Sequence, residues 1–263
     1  MTPLEYFDAS SKNQAWHLHM PAEIHGAFGG VTGGALAAAA IALGRTVEPN
    51  RIAAGLDIHF LRGLSTTQAT AQVTTLSSGR SITILRVEFS DDSGTPTTEA
   101  RVVFAAPESL RTDIQAANRD SGLLGPPPSD LSENSKPWRK PEGVEVPIID
   151  TARPRASRVG ASIATLVTVP WETTTDGSEG ACLAADLSVG PPVDAVLPRG
   201  TWVPHPNPDL SLRFSGPATR QDLVAIAICR EISGGLATVE TEVWQEQSLV
   251  AKGLSTSLLL SRS

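Results

Sequence analysis

The chain is short of residues that several large protein classes require. Two cysteines, Cys182 and Cys229, among 263 residues are too few for a disulfide scaffold, so buried free thiols in a reducing compartment are expected. Basic residues are in the minority, 21 Lys and Arg against 28 Asp and Glu, a net charge of -7. That balance argues against nucleic-acid binding through a basic face. No apolar stretch reaches the ~20 residues needed to cross a bilayer, the longest helical one running from about Val31 to Leu43. Met1–Gln14 carries Glu5 and Asp8 and has no apolar run, which is wrong for a signal peptide. A cytoplasmic protein without a membrane partner is therefore expected. Aromatics make up only 5%. Also absent are a Gly-x-Ser-x-Gly nucleophile elbow, a phosphate loop and a His-Glu-x-x-His helix.

What is present suffices for a folded core. Hydrophobic residues are 40% and charged residues 19% of the chain, which excludes disorder over the whole length. The length admits one large domain or two ordinary ones. Proline marks the division. Ala105–Ser157 holds Pro107, Pro126, Pro127, Pro128, Pro137, Pro141, Pro147 and Pro154, a density that suppresses helix and central strand alike. Within it only a short helix around Glu108–Asn118 is expected. The domain reading is 1–105, a linker over 106–157, and 158–263.

The two flanks repeat one order. In the first, a strand at Ala15–Met20 leads through the loop His25–Gly30 to Thr32–Leu43, apolar on every side and so a buried helix. Strands follow at about Ile52–Arg62, Gln68–Leu76, Ser81–Phe89 and Thr97–Ala105. Leu56, Ile58 and Phe60 alternate with Asp57 and His59, the period of a half-buried strand. Asp92-Ser-Gly94 marks the hairpin between the last two. In the second flank, Ser162–Val169 is the strand and Glu179–Leu197 the helix, broken or bent at Gly190-Pro-Pro192. Strands follow at about Asp209–Phe214, Leu223–Glu231, Leu236–Trp244 and Leu249–Leu259. Leu210, Leu212 and Phe214 repeat the earlier alternation 154 residues on. The chain reads as a tandem duplication, each copy wrapping one apolar helix in an antiparallel sheet.

Several segments carry a family resemblance. They are Ala27-Phe-Gly-Gly30 followed by Gly33-Gly-Ala-Leu36, His59-Phe-Leu-Arg62, Gly79-Arg-Ser81, and Leu249-Val-Ala251. In this order and spacing the chain resembles the acyl-CoA thioesterase II family of double-hotdog α+β proteins. The resemblance implies hydrolysis of acyl-CoA to free acid and CoA, with no metal or redox cofactor. It also implies a catalytic set of an Asp in the second helix, a Thr or Ser just before the next strand, and a Gln in the last strand. The matching positions here are Asp186, Asn207 and Ser255, so only the acid is kept by type.

Thioester hydrolysis needs a water, a base and donors for the oxyanion. Asp186 sits in an apolar helical stretch, where a carboxylate must be paired or used. Asp194 and Asp209 are its competitors, expected in a loop or second helical turn and in a turn. The loop and helix start around His25, Phe28, Gly29, Gly30 and Gly33 offer free amides that favour an anion; the same glycines could instead serve close helix packing. His59 and Arg62 are candidates for lining the cleft or touching CoA. His17 and His19 share a strand face but have no third ligand, so a surface or hydrogen-bonded pair is expected rather than a metal site. His205-Pro-Asn-Pro-Asp209 inverts the order of a hotdog hydratase motif. A non-catalytic acyl-CoA-binding protein and a hotdog hydratase are the alternatives. Because hotdog units bury sheet edges by association, a homo-oligomer is expected.

Overall fold

In the computed structural model the residues described are 1–111, 124–139, 143–173, 175–198 and 203–261. The first flank opens with helix α1 (Pro3–Tyr6) and strands β1 (Ser10–Lys12) and β2 (Ala15–His19). Helix α2 (Gly33–Val47) comes next, then β3 (Ile52–Phe60), β4 (Gln68–Ser78), β5 (Ile82–Ser90) and β6 (Pro96–Ala105). The connection holds α3 (Leu131–Asn134), β7 (Lys136–Pro137), α4 (Pro147–Ala152) and β8 (Arg155–Val159). The second flank is β9 (Ser162–Thr168), α5 (Ser178–Leu187), α6 (Gly190–Val196), β10 (Asp209–Phe214), β11 (Asp222–Ser233), β12 (Leu236–Gln245) and β13 (Ser248–Leu258).

All the strands join one antiparallel sheet, ordered β1-β2-β4-β5-β6-β3-β10-β13-β12-β11-β9-β8-β7. The order shows the duplication. Read inward to the centre, β2-β4-β5-β6-β3 on one side is matched by β9-β11-β12-β13-β10 on the other. The halves meet where β3 pairs with β10, from Gly55 against Arg213 to His59 against Asp209. The middle pair is Asp57 with Ser211. These two are themselves 154 residues apart, so the sequence repeat is the pseudo-twofold of the fold.

The sheet curves round two helices. α2 buries every residue from Gly34 to Gly44. With alanine at most of those positions it can be approached from all sides by sheet residues such as Leu56, Leu85 and Phe104. α5 is buried nearly as completely. The expected break falls at Gly190-Pro-Pro192: α5 ends at Leu187, and the prolines seat in the first turn of α6, where no backbone donor is needed. The two main helices run antiparallel. Gly34 of α2 meets Leu183 and Asp186 of α5, and Arg45 near the other end of α2 meets Ser178 and Glu179 at the start of α5.

The connection departs from a bare linker. β8 pairs with β9, and Leu124 and Leu131 pack on Ala164, Ile226 and Trp244 across the outer face of the second half. Of the helix expected around Glu108–Asn118, a single 3-10 turn at Pro107–Ser109 is seen, and 112–118 lie outside the described residues. Cys182 is buried as expected, but Cys229 is only half-buried, beside a β-bulge between Cys229 and Glu231. Asp194 lies in the second turn of α6, one of the two places expected for it. Among the described residues no helix is long and apolar enough to cross a membrane.

Candidate active site

Asp186 lies in the last turn of α5, the negative end of its own helix dipole and a poor place for a carboxylate. It is supported from outside that helix. The amide of Asn207 donates to its Oδ1 at 2.8 Å, and the backbone N–H of Gly34, in the first turn of α2, lies close enough to help favour its charged form. The positive end of the first half's helix thus faces an acid of the second half. The glycines make this approach possible. A Cβ on Gly34 would stand 2.7 Å from the Leu183 Cα and 2.8 Å from the Cys182 carbonyl oxygen; one on Gly33 would stand 2.9 Å from Asp186 Oδ1 and 2.5 Å from the Phe60 ring.

Asn207 is held by its neighbours. Proline flanks it on both sides and cannot donate, yet the carbonyl of Pro208 accepts from the Phe60 N–H at 2.8 Å and that of Pro206 from the Leu258 N–H at 2.9 Å. The segment before β10 is therefore tied to one strand of each half, with the Asn207 amide preset toward Asp186. Asp186 itself is half-buried. Protein crowding on its surroundings pushes its carboxyl above the ordinary aspartate range, and the Asn207 bond and the Gly34 amide pull it back in part.

The other residues singled out from the sequence divide. The His25 Nε2 is buried with no partner, while the His25 carbonyl accepts from Ile148 of α4. Gly30 backs onto the Leu64 carbonyl; Gly29 (φ +76°) has open space where a side chain would be, and Phe28 stands out exposed on the loop. Ser255 is buried on the inner face of β13, but its hydroxyl donates to the Asp209 carbonyl at 2.6 Å. It is thus committed to strand backbone and makes no hydrogen bond to Asp186 or Asn207. His59 does not reach the cleft: strand alternation puts Leu56 and Ile58 inward and leaves His59 exposed with Asp57. Arg62 is exposed beside Asp91, whose carboxyl it helps hold down.

Of the competing acids, Asp209 accepts from the Thr256 backbone N–H at 2.7 Å. Asp194 lies 3.8 Å from His205. Sequence reasoning missed Phe60 as a wall of the site, although its alternation with Leu56 and Ile58 marks it as inward. It also missed Thr32, which reads as an ordinary helix cap.

A pseudo-duplicated sheet around two antiparallel helices, with an acid of the second helix at the head of the first, defines a double-hotdog fold. The model of the acyl-CoA thioesterase N-terminal domain family matches residues 18–105, about a third of the chain. Solved structures share the whole architecture. A candidate thioesterase II from Thermobifida fusca YX superposes with a TM-score of 0.77 at 14% identity, over 99% of this chain and 98% of that one. The tesB protein MAP1729c of Mycobacterium avium subs paratuberculosis gives 0.71 at 18% identity, over 98% of both chains. A hot dog protein of unknown function from Alicyclobacillus acidocaldarius gives 0.73 at 18%, over 99% and 98%. At such identities the likeness establishes the fold. No curated protein matches the sequence.

Proposed function

We propose that the protein hydrolyses acyl-CoA thioesters to the free acid and CoA, with Asp186 as the base. The observation that carries this reading is the placing of one partly desolvated carboxylate between Asn207 and the amino terminus of α2. Its raised pKa makes it a better proton acceptor than an ordinary aspartate, while the Asn207 bond fixes which oxygen stays free. The thioester carbonyl would lie toward the Gly33 end of α2, where main-chain amides and the helix dipole favour the negative charge that develops on oxygen. Asn207 takes the place of the family hydroxyl as the group that orients acid and water. Ser255 acts through the backbone, bracing Asp209 and with it the strand that Asn207 precedes.

The test is thiol release from a panel of acyl-CoAs by wild type and Asp186→Asn. Loss of ~100-fold or more in kcat is expected for removal of a general base; equal rates would take Asp186 out of the mechanism. A second reading has one observation in its favour. The Ser255 hydroxyl is already satisfied by backbone, so a water beside Asp186 has fewer holders than in the family pattern. A protein that binds acyl-CoA without hydrolysing it would give calorimetric binding with no thiol release.

A further inference from the structure

Thr32 holds the position before the first residue of α2, where a threonine hydroxyl ordinarily accepts a hydrogen bond from the second or third amide of the helix. Here it does not cap. The Gly34 N–H lies toward the Asp186 carboxylate, and the Ala35 N–H goes to the carbonyl of Thr32 itself at 3.1 Å. Asp186, reaching across from the other half, crowds the place of a cap. The Thr32 hydroxyl is left with no partner although the residue is only 8% exposed. Its methyl lies against Gly26, where an added Cβ would stand 3.2 Å away. The hydroxyl, on the other branch of the same carbon, stays at the mouth of the helix. A buried donor left unpaired costs free energy in the resting protein. The Thr32 hydroxyl at the start of α2 is such a donor, and it points to a ligand oxygen that satisfies it.

We propose that the Thr32 hydroxyl is a catalytic residue that donates to the thioester carbonyl oxygen as it becomes an oxyanion, supplying from the first half a hydroxyl that position 207 lacks. This rests on the hydrolytic reading given above. Water oxygen bonds to the carbonyl carbon while its proton passes to Asp186. The carbonyl π pair moves onto oxygen, where the Thr32 hydroxyl and a main-chain amide of α2 receive it. The pair then returns, the C–S bond breaks with its electrons going to sulfur, and the proton on Asp186 goes to the thiolate. Acid and thiol leave with every atom of water accounted for.

The experiment compares Thr32→Val, which keeps the shape and removes the hydroxyl, with Thr32→Ser, which keeps the hydroxyl. Thr32→Val is expected to lower kcat by about 100-fold, the scale of losing one oxyanion donor, with little change in KM. Its Tm should be unchanged or higher, because the hydroxyl has no partner to lose. Thr32→Ser should keep most of kcat. A folded Thr32→Val variant with kcat within about twofold of wild type would overturn the proposal, since an oxyanion donor cannot be removed so cheaply. A second readout does not need turnover: the carbonyl stretching frequency of a bound ketone analogue in which CH2 replaces the thioester sulfur. A red shift seen in wild type and Thr32→Ser but lost in Thr32→Val supports the assignment even where thiol release fails, in which case only the hydrolytic reading falls. Identical bands in all three proteins would sink it.

Discussion

At the scale of the residue, the site turns on a carboxylate that its own environment does not favour. Burial raises the native pKa of Asp186 above its unfolded value, so the native state holds its proton more tightly. Such a group lowers stability progressively as pH rises from the unfolded pKa, about 3.9, toward the native one, and by its full amount above that. Asp186→Asn should therefore be at least as stable as wild type at neutral pH. The advantage should open as pH is raised from about 4 and level off once wild-type Asp186 is ionised. Thermal melts of both proteins over that range check this. Activity should move the opposite way: wild-type kcat/KM rises with pH as Asp186 ionises, with its midpoint above the usual aspartate range, and the variant has no such limb. Stability gained where function is lost is the expected signature of a working acid.

Asp186 stood out because an acid in an apolar helix is unusual for local reasons; Asn207 was reached only through the family resemblance, as the position where the family has a hydroxyl. The orientations of Ser255 and His59 were not legible. Whether a strand serine turns to a ligand or to the next backbone carbonyl depends on register, which two strands decide together. Likewise the alternation of β3 was plain, but which face of it carries the site follows only from where α5 lies. Thr32 was hidden by its ordinary role: nothing local reveals that another part of the chain crowds the place of its cap.

At the scale of the element, α2 and α5 touch main chain to main chain at Gly34. A Cβ there would meet Leu183 Cα at 2.7 Å and the Cys182 carbonyl oxygen at 2.8 Å, neither of which can swing aside as a side chain tip can. Gly34→Ala should thus cost about 1–3 kcal/mol through overpacking, despite the better helix propensity of alanine. In a chain of this size 1 kcal/mol moves Tm by roughly 2–4 °C. Gly63→Ala, where nothing lies within 4 Å, is the control and should stay within about 0.5 kcal/mol. Calorimetric melts of the two read the difference. The apolar helix and the glycines before it were visible in the sequence. That the glycines serve helix contact and anion contact at once was not, since both readings predict the same letters.

At the scale of the whole molecule, the two ends of the helix pair have diverged. One keeps the half-buried acid; the other is closed by charge. Arg45 of α2 bonds Glu179 at 3.0 Å, Asp176 at 2.8 Å and the Ser178 hydroxyl at 3.1 Å, and Asp176 accepts the Ala53 N–H of β3 at 2.9 Å. The cluster ties α2 and β3 of the first half to the start of α5 in the second. Ala53 and Asn207 are 154 residues apart, so the pseudo-twofold relates a backbone amide bound to a carboxylate at the closed end to a side-chain amide bound to one at the open end. Arg45→Met keeps the stem and removes the charge, leaving Glu179, 1% exposed, and Asp176 buried without their cation. A loss of about 3–5 kcal/mol is expected for breaking such a pair. The pH dependence follows from Asp176. Burial alone would raise its pKa, but Arg45 with the Ser178 and Ala53 bonds brings it below the ordinary value. Its stabilisation is therefore complete above the unfolded pKa and is lost as pH falls through the lower native one. The gap between wild type and Arg45→Met should be widest near neutrality and close as the solution is acidified below about pH 4. A gap that stayed constant on acidification would mean that Arg45 holds the halves together by packing on Phe104, over whose ring it lies at 5.9 Å, and not by its charge.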